Sequence, residues 1–135
     1  MDNLTKKNFV GKAEETIKGL HKGRNGDTKN NLTNNQIRNL LSFTTTVYNN
    51  LLRHTDGELS EDLQSDIQYM KMKFTYAASR YESVNELIEK GNIFTYINQI
   101  GTSRDYALLF CKYMESLVAY HKYYTEVVLR DKNRR

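Results

Sequence analysis

Not one proline occurs in the 135 residues of this chain, and apolar side chains recur at helical spacing along most of its length. Proline breaks a helix by removing an amide donor and colliding with the preceding turn, so its absence lets long helices run uninterrupted. The seven glycines gather at a few points, which is where helices are expected to end. No stretch alternates with the period of a strand, and no internal repeat is visible. A chain of this length holds a single core, so residues 1–135 are expected to form one all-α domain.

Leu4, Phe9, Val10, Ala13, Ile17 and Leu20 predict a first helix over residues 4–21. The polar, glycine-bearing run KGRNGDTKNN follows and carries no core residues, and 23–32 reads as a flexible connection. The second helix has the clearest start. Thr33 fits the N-cap, Gln36 completes a capping box, and Leu32 and Ile37 are placed as a hydrophobic staple. Its apolar face runs from Ile37 through Leu40, Val47 and Leu51, ending near Arg53. Ser60 can cap a third helix, with Glu61 and Asp62 in the first turn where the dipole favours acids. Leu63, Ile67, Met70, Phe74, Ala77 and Tyr81 carry its stripe. Ser83 and Glu86 form a second possible capping box, Gly91 is a stop, and a further short helix ends at Gly101. Ser103 can cap the last and longest helix, whose face runs from Ala107 through Phe110, Met114 and Leu117 to Val128. The basic tail at 131–135 is expected to fray. The expected architecture is a helical bundle with the second, third and last helices at its core.

Several function classes have no support. No apolar run approaches the ~20 residues of a membrane span, and the N-terminal residues lack the apolar stretch of a signal peptide, so a cytoplasmic protein with no membrane partner is expected. One cysteine, Cys111, allows no intramolecular disulfide and gives no metal spacing. Asp62 and Asp66 stand one turn apart, but acids in a first helical turn simply suit the dipole, and no histidine is spaced to complete a metal site with them. His121 lies on an apolar helix face, where a packed, hydrogen-bonded role is the ordinary one. No nucleophile elbow, phosphate-cradling loop or dinucleotide fingerprint is present. The expectation is a protein that is not an enzyme, with no cofactor and no metal.

The charge is informative by its distribution. The net charge is +4, and residues 1–35 and 101–135 each carry seven Lys/Arg against four acids, whereas the middle carries six against eight. Basic ends around a mixed centre suit a polyanionic partner. On the third helix Tyr69, Lys73, Tyr76 and Arg80 share one stripe. Alternating cations and aromatic rings suit a nucleic-acid strand, cations meeting phosphates and rings taking a base or ribose. Tyrosines half-buried against a neighbouring helix would give the same pattern. Arg38, Ser42, Thr45 and Asn49 run along the flank of the second helix and would suit a phosphate–ribose backbone, as would any solvated face. Arg104, Lys112 and Lys122 read as cations on the outer face of the last helix, mixed with Glu115 and Glu126.

Three segments, TNNQIRNLLSFTTTVYN, DIQYMKMKFTYAASRYESVNELIEK and RDYALLFCKYMESLVAYHKYY, resemble the blocks of the Csm small subunit of type III-A CRISPR–Cas effector complexes. The resemblance covers about residues 33–130 and rests on these blocks occurring in order. It implies a compact bundle of about five helices and a role in antiviral defence. It also implies that several copies stack in a ribonucleoprotein and line the duplex of crRNA and target RNA. Its partners would be that RNA, other Csm subunits and neighbouring copies of itself, while cleavage and second-messenger synthesis belong to other subunits. Carried onto this sequence, the RNA-binding positions are Arg38, Lys71 or Lys73, Arg80 and Lys112. Where the family commonly has glycine before the arginine at 80, this chain has Ser79. The other reading of the residues is a helical protein–protein adaptor without nucleic-acid binding.

Overall fold

The computed structural model describes residues 3–22, 31–54 and 57–128. Six α-helices account for most of them: α1 (Phe9–Lys22), α2 (Asn34–Arg53), α3 (Glu61–Arg80), α4 (Glu82–Lys90), α5 (Ile93–Ile100) and α6 (Arg104–Tyr123). A π-helical turn, Tyr124–Val128, extends α6. No strand occurs among the described residues.

Local chemistry sets the helix starts. Gln36 N–H donates to Thr33 Oγ1 and Thr33 N–H donates to Gln36 Oε1, both at 3.1 Å, which closes the expected capping box. Ser60 Oγ accepts from Leu63 N–H at 3.2 Å, and Ser103 Oγ accepts from Tyr106 N–H at 3.0 Å. Each of these caps satisfies an amide that the helix itself leaves without a partner.

Four expectations need correction. The first helix begins at Phe9 rather than Leu4, because Thr5 and Asn8 exchange side-chain and backbone hydrogen bonds at 2.8 and 3.1 Å and hold a turn ahead of it. Leu4 is buried nonetheless. Leu32, read both as the last residue of the 23–32 connection and as half of a staple with Ile37, is also buried and belongs to the core, so the connection is not free of the core at that end. Residues 23–30 of that connection and the tail at 131–135 lie outside the described residues. Ser83 does not cap α4. The chain is extended at Tyr81, α4 starts at Glu82, and the Ser83 hydroxyl donates to Gln36 Oε1 at 3.0 Å, tying α4 to the capping box of α2. Finally, α1 shares the core, since its pairing with α6 is the most extensive in the fold and buries Ala13, Ile17 and Leu20.

α2 packs on both α6 and α3, while α4 packs on α3 and α1, and α5 on α6. Leu40, Leu51, Phe74, Met114 and Leu117 are completely buried and Ile67 nearly so. Tyr113, absent from the face traced by sequence, sits edge-on to Tyr96 with ring centres 5.3 Å apart. Its hydroxyl donates to the Gly91 carbonyl at 2.9 Å, as a buried tyrosine requires. A Cβ at Gly91 would stand 3.0 Å from the Leu87 carbonyl oxygen and 3.2 Å from that hydroxyl, so glycine is needed here for close approach. The left-handed residue at this corner is instead Asn92, at φ 52°.

His121 is buried, and its Nε2–H donates to the Leu32 carbonyl at 2.9 Å, fastening α6 to the entry of α2. Burial holds the imidazole below its ordinary pKa of 6.5. The unfolded chain therefore binds a proton at mildly acidic pH that the folded chain refuses. Stability from this site is full above about pH 6.5 and drains away as the pH falls below it. Urea unfolding at pH 7.5 and 5.5 should show the wild type losing more stability than His121→Gln over that interval.

Candidate nucleic-acid interface

α2 and α3 lie antiparallel and meet along one seam. Asn50 Nδ2 donates to Asp66 Oδ2 at 3.3 Å near one end, and the Phe43 and Phe74 rings meet at 6.2 Å further along. Helix periodicity places Lys73 and Arg80 on the shoulder of α3 that carries these contacts. The Lys73 ammonium lies 5.3 Å from the centre of the Phe43 ring and 4.6 Å from that of Tyr69. The Arg80 guanidinium, exposed in the last turn of α3, lies 5.2 Å from the Tyr81 ring. The two cations are separated by two turns, about 10.5 Å along the axis.

The tyrosines of this stripe are not boundary residues. Tyr69 and Tyr76 are 57% and 65% exposed, and Met72 beside them 52%. Lys73, by contrast, is half-buried. The rings are accessible and the cation is tucked among them, the reverse of the packed arrangement that the same pattern could have meant. Ser79 is an exposed helical residue whose hydroxyl donates back to the Tyr76 carbonyl at 2.7 Å.

The other candidates face elsewhere. Lys71 occupies the opposite shoulder of α3, about 160° around the helix from Lys73. Its ammonium donates to Asn98 Oδ1 on α5 at 2.8 Å and lies 5.8 Å from the Phe94 ring. Arg38 is exposed on the outer face of α2, about 140° around from Phe43. Lys112 is exposed on the rim of a groove of about 510 Å³ between the start of α1, α2 and α6, where Thr45 and Asn49 line the opposite wall. Ser42 and Thr45, read as backbone ligands, donate their hydroxyl protons to the Asn39 and Leu41 carbonyls at 2.7 and 2.9 Å. Those protons are spent within the helix, and a phosphate needs donors. Arg104 is not an outer-face cation either. It donates to the Leu51 and His54 carbonyls at 2.8 and 2.9 Å, satisfying the end of α2. No sequence signal pointed to that tertiary cap.

Asp66 accepts from Asn50, while Asp62 is exposed in the first turn of α3. Among the described residues no three His, Cys, Asp or Glu side chains gather as a metal site. Cys111 is buried, and burial pushes its thiol up to about 12. Such a thiol is a poor nucleophile at neutral pH. Among the described residues no helix is long and apolar enough to cross a membrane.

A family model described as Csm2 Type III-A matches residues 5–127. The chain belongs to that family. The match takes in α1, which the three sequence blocks left out. A Streptococcus thermophilus relative, "CRISPR system Cms protein Csm2", is 40% identical over 121 residues, spanning 90% of this chain and 94% of the relative. A protein of the same name from Mycobacterium tuberculosis (strain CDC 1551 / Oshkosh) is 36% identical over 112 residues, 83% of this chain and 88% of the relative. One from Enterococcus italicus is 37% identical over 101 residues, 70% of this chain and 69% of the relative. A Csm2 small subunit of a type III CRISPR system is thus what this sequence folds into.

Proposed function

We propose that this chain is a non-catalytic RNA-binding subunit of a cytoplasmic type III-A interference complex. Several copies stack along the duplex of crRNA and target RNA beside other Csm subunits and one another. The observation that carries the reading is the α3 stripe, where Lys73 and Arg80 lie two turns apart beside exposed Tyr69 and Tyr76. Cations at that spacing can meet phosphates a couple of nucleotides apart on one strand. Contacts to the backbone need no base readout, because the guide supplies specificity by pairing. Lys73 and Arg80 form the principal contact. Arg38, Lys71 and Lys112 lie on other faces and would reach RNA only by contacts of their own, as a bundle flanked by copies of itself could provide.

The purified chain should bind labelled RNAs of unrelated sequence with similar affinity, weakening linearly in log K against log salt. Met72, apolar and exposed on the same stripe, favours the second reading, a protein–protein adaptor. An adaptor would leave a heparin column at low salt and show no shift with RNA. Incubation with RNA and a divalent metal should leave the RNA intact, since no acid–base or metal constellation is assembled among the described residues. Cleavage that co-elutes with the protein and disappears on substitution of a Glu or His would contradict a non-catalytic role.

A further inference from the structure

We infer that Tyr69 is a positioning residue for RNA binding, its ring and that of Phe43 holding the Lys73 ammonium at the seam between α2 and α3. The inference rests on the RNA-binding reading above and concerns how that site is built.

Lysine is a flexible point charge, and fixing its long stem costs rotamer freedom that a ligand must otherwise supply. Here the stem is half-buried and the ammonium is bracketed by two rings, 4.6 Å from Tyr69 on its own helix and 5.3 Å from Phe43 on α2. Ring faces attract an ammonium through their quadrupole and leave its charge intact. A carboxylate partner would neutralise it. Among the described residues no carboxylate pairs with Lys73, whereas Lys18 is bridged to Glu14 at 3.6 Å. Lys73 is therefore held by ring faces and not neutralised by a carboxylate, the state in which a phosphate gains most from it.

Core packing does not account for Tyr69. With 57% of its surface exposed, it contributes little to the interior. Phe43 differs, because it also packs against Phe74 with ring centres 6.2 Å apart. The one-turn offset of Tyr69 and Lys73 along α3 lets the ring and the ammonium meet. Phe43 reaches the same ammonium from across the seam. Leucine at position 69 would keep apolar bulk and remove the ring face. Phenylalanine would keep the ring face and remove only the hydroxyl.

The test is fluorescence anisotropy of the full chain with unstructured single-stranded RNA of mixed sequence, repeated across a salt series. Tyr69→Leu should weaken binding by about two- to fivefold, the fold-change that an exposed cation–π contact represents. Tyr69→Phe should bind like the wild type. In a Lys73→Ala background Tyr69→Leu should cause no further loss, because there is no ammonium left to hold. Losses that multiply would show that the Tyr69 ring meets RNA on its own account and would overturn the inference, as would wild-type binding by Tyr69→Leu. Wild-type binding by Lys73→Ala would remove the role of this cation in RNA binding, and with it anything for Tyr69 to position.

Discussion

Replacing Phe74 with alanine is expected to cost about 3–5 kcal/mol of stability, the usual toll for emptying a buried aromatic site. Phe74 is fully buried at the α2–α3 contact, against the Phe43 ring. Phe43 stands on α2 and Phe74 on α3, each helix started by its own side-chain cap, so the two cannot easily close over the cavity. A domain of this size holds about 5–15 kcal/mol in total, so the variant would stand near the edge of folding at 37 °C. Urea denaturation followed by circular dichroism measures the effect. A loss below about 1 kcal/mol would mean that this face of α3 does not form the core.

The α2–α3 half of the fold was the most legible in the sequence. The Thr33–Gln36 box, the Ser60 and Ser103 caps and the apolar stripes are local, since each depends on residues within a turn or two of one another. What sequence missed was tertiary. Ser83 carries the chemistry of a cap but bonds Gln36 across the bundle, and Tyr113 is buried because Gly91 and Thr16 lie within reach of its hydroxyl. Arg104 reads as a solvated cation until α2 ends beside it. The candidate site divides in the same way. Lys73 and Arg80 could be grouped by periodicity along one helix. Nothing in the spacing told that Arg38 turns away from the α3 seam, or that Lys71 reaches Asn98 on α5.

Substituting glutamate for Arg38, Lys73 and Arg80 together is expected to abolish RNA binding while the fold persists. Charge reversal replaces attraction to phosphate with repulsion at each position. Removing each cation–phosphate pair should flatten the salt dependence by about 0.7–0.9 units of log K per log salt. Because Lys73 and Arg80 share the α3 path and Arg38 lies on the outer face of α2, the Lys73→Glu/Arg80→Glu pair should account for most of the weakening. Arg38 and Arg80 are exposed, and surface substitutions seldom move stability by more than about 0.5 kcal/mol. Lys73 adds only its interactions with the two rings. Melting curves should accordingly stay close to the wild type. Unchanged affinity would contradict the α3 stripe as the binding path, and unfolding would make these residues structural.

An RNA-bound subunit of a type III-A complex should travel with that complex. This is tested most directly by purifying the tagged chain from cells expressing the complete type III-A system and identifying the proteins and small RNA that accompany it. Other Csm subunits together with crRNA should be recovered, and this chain should be released from the RNA-bound assembly when Lys73 and Arg80 are reversed to glutamate. Recovery of the chain with partner proteins but without crRNA would contradict an RNA-bound role.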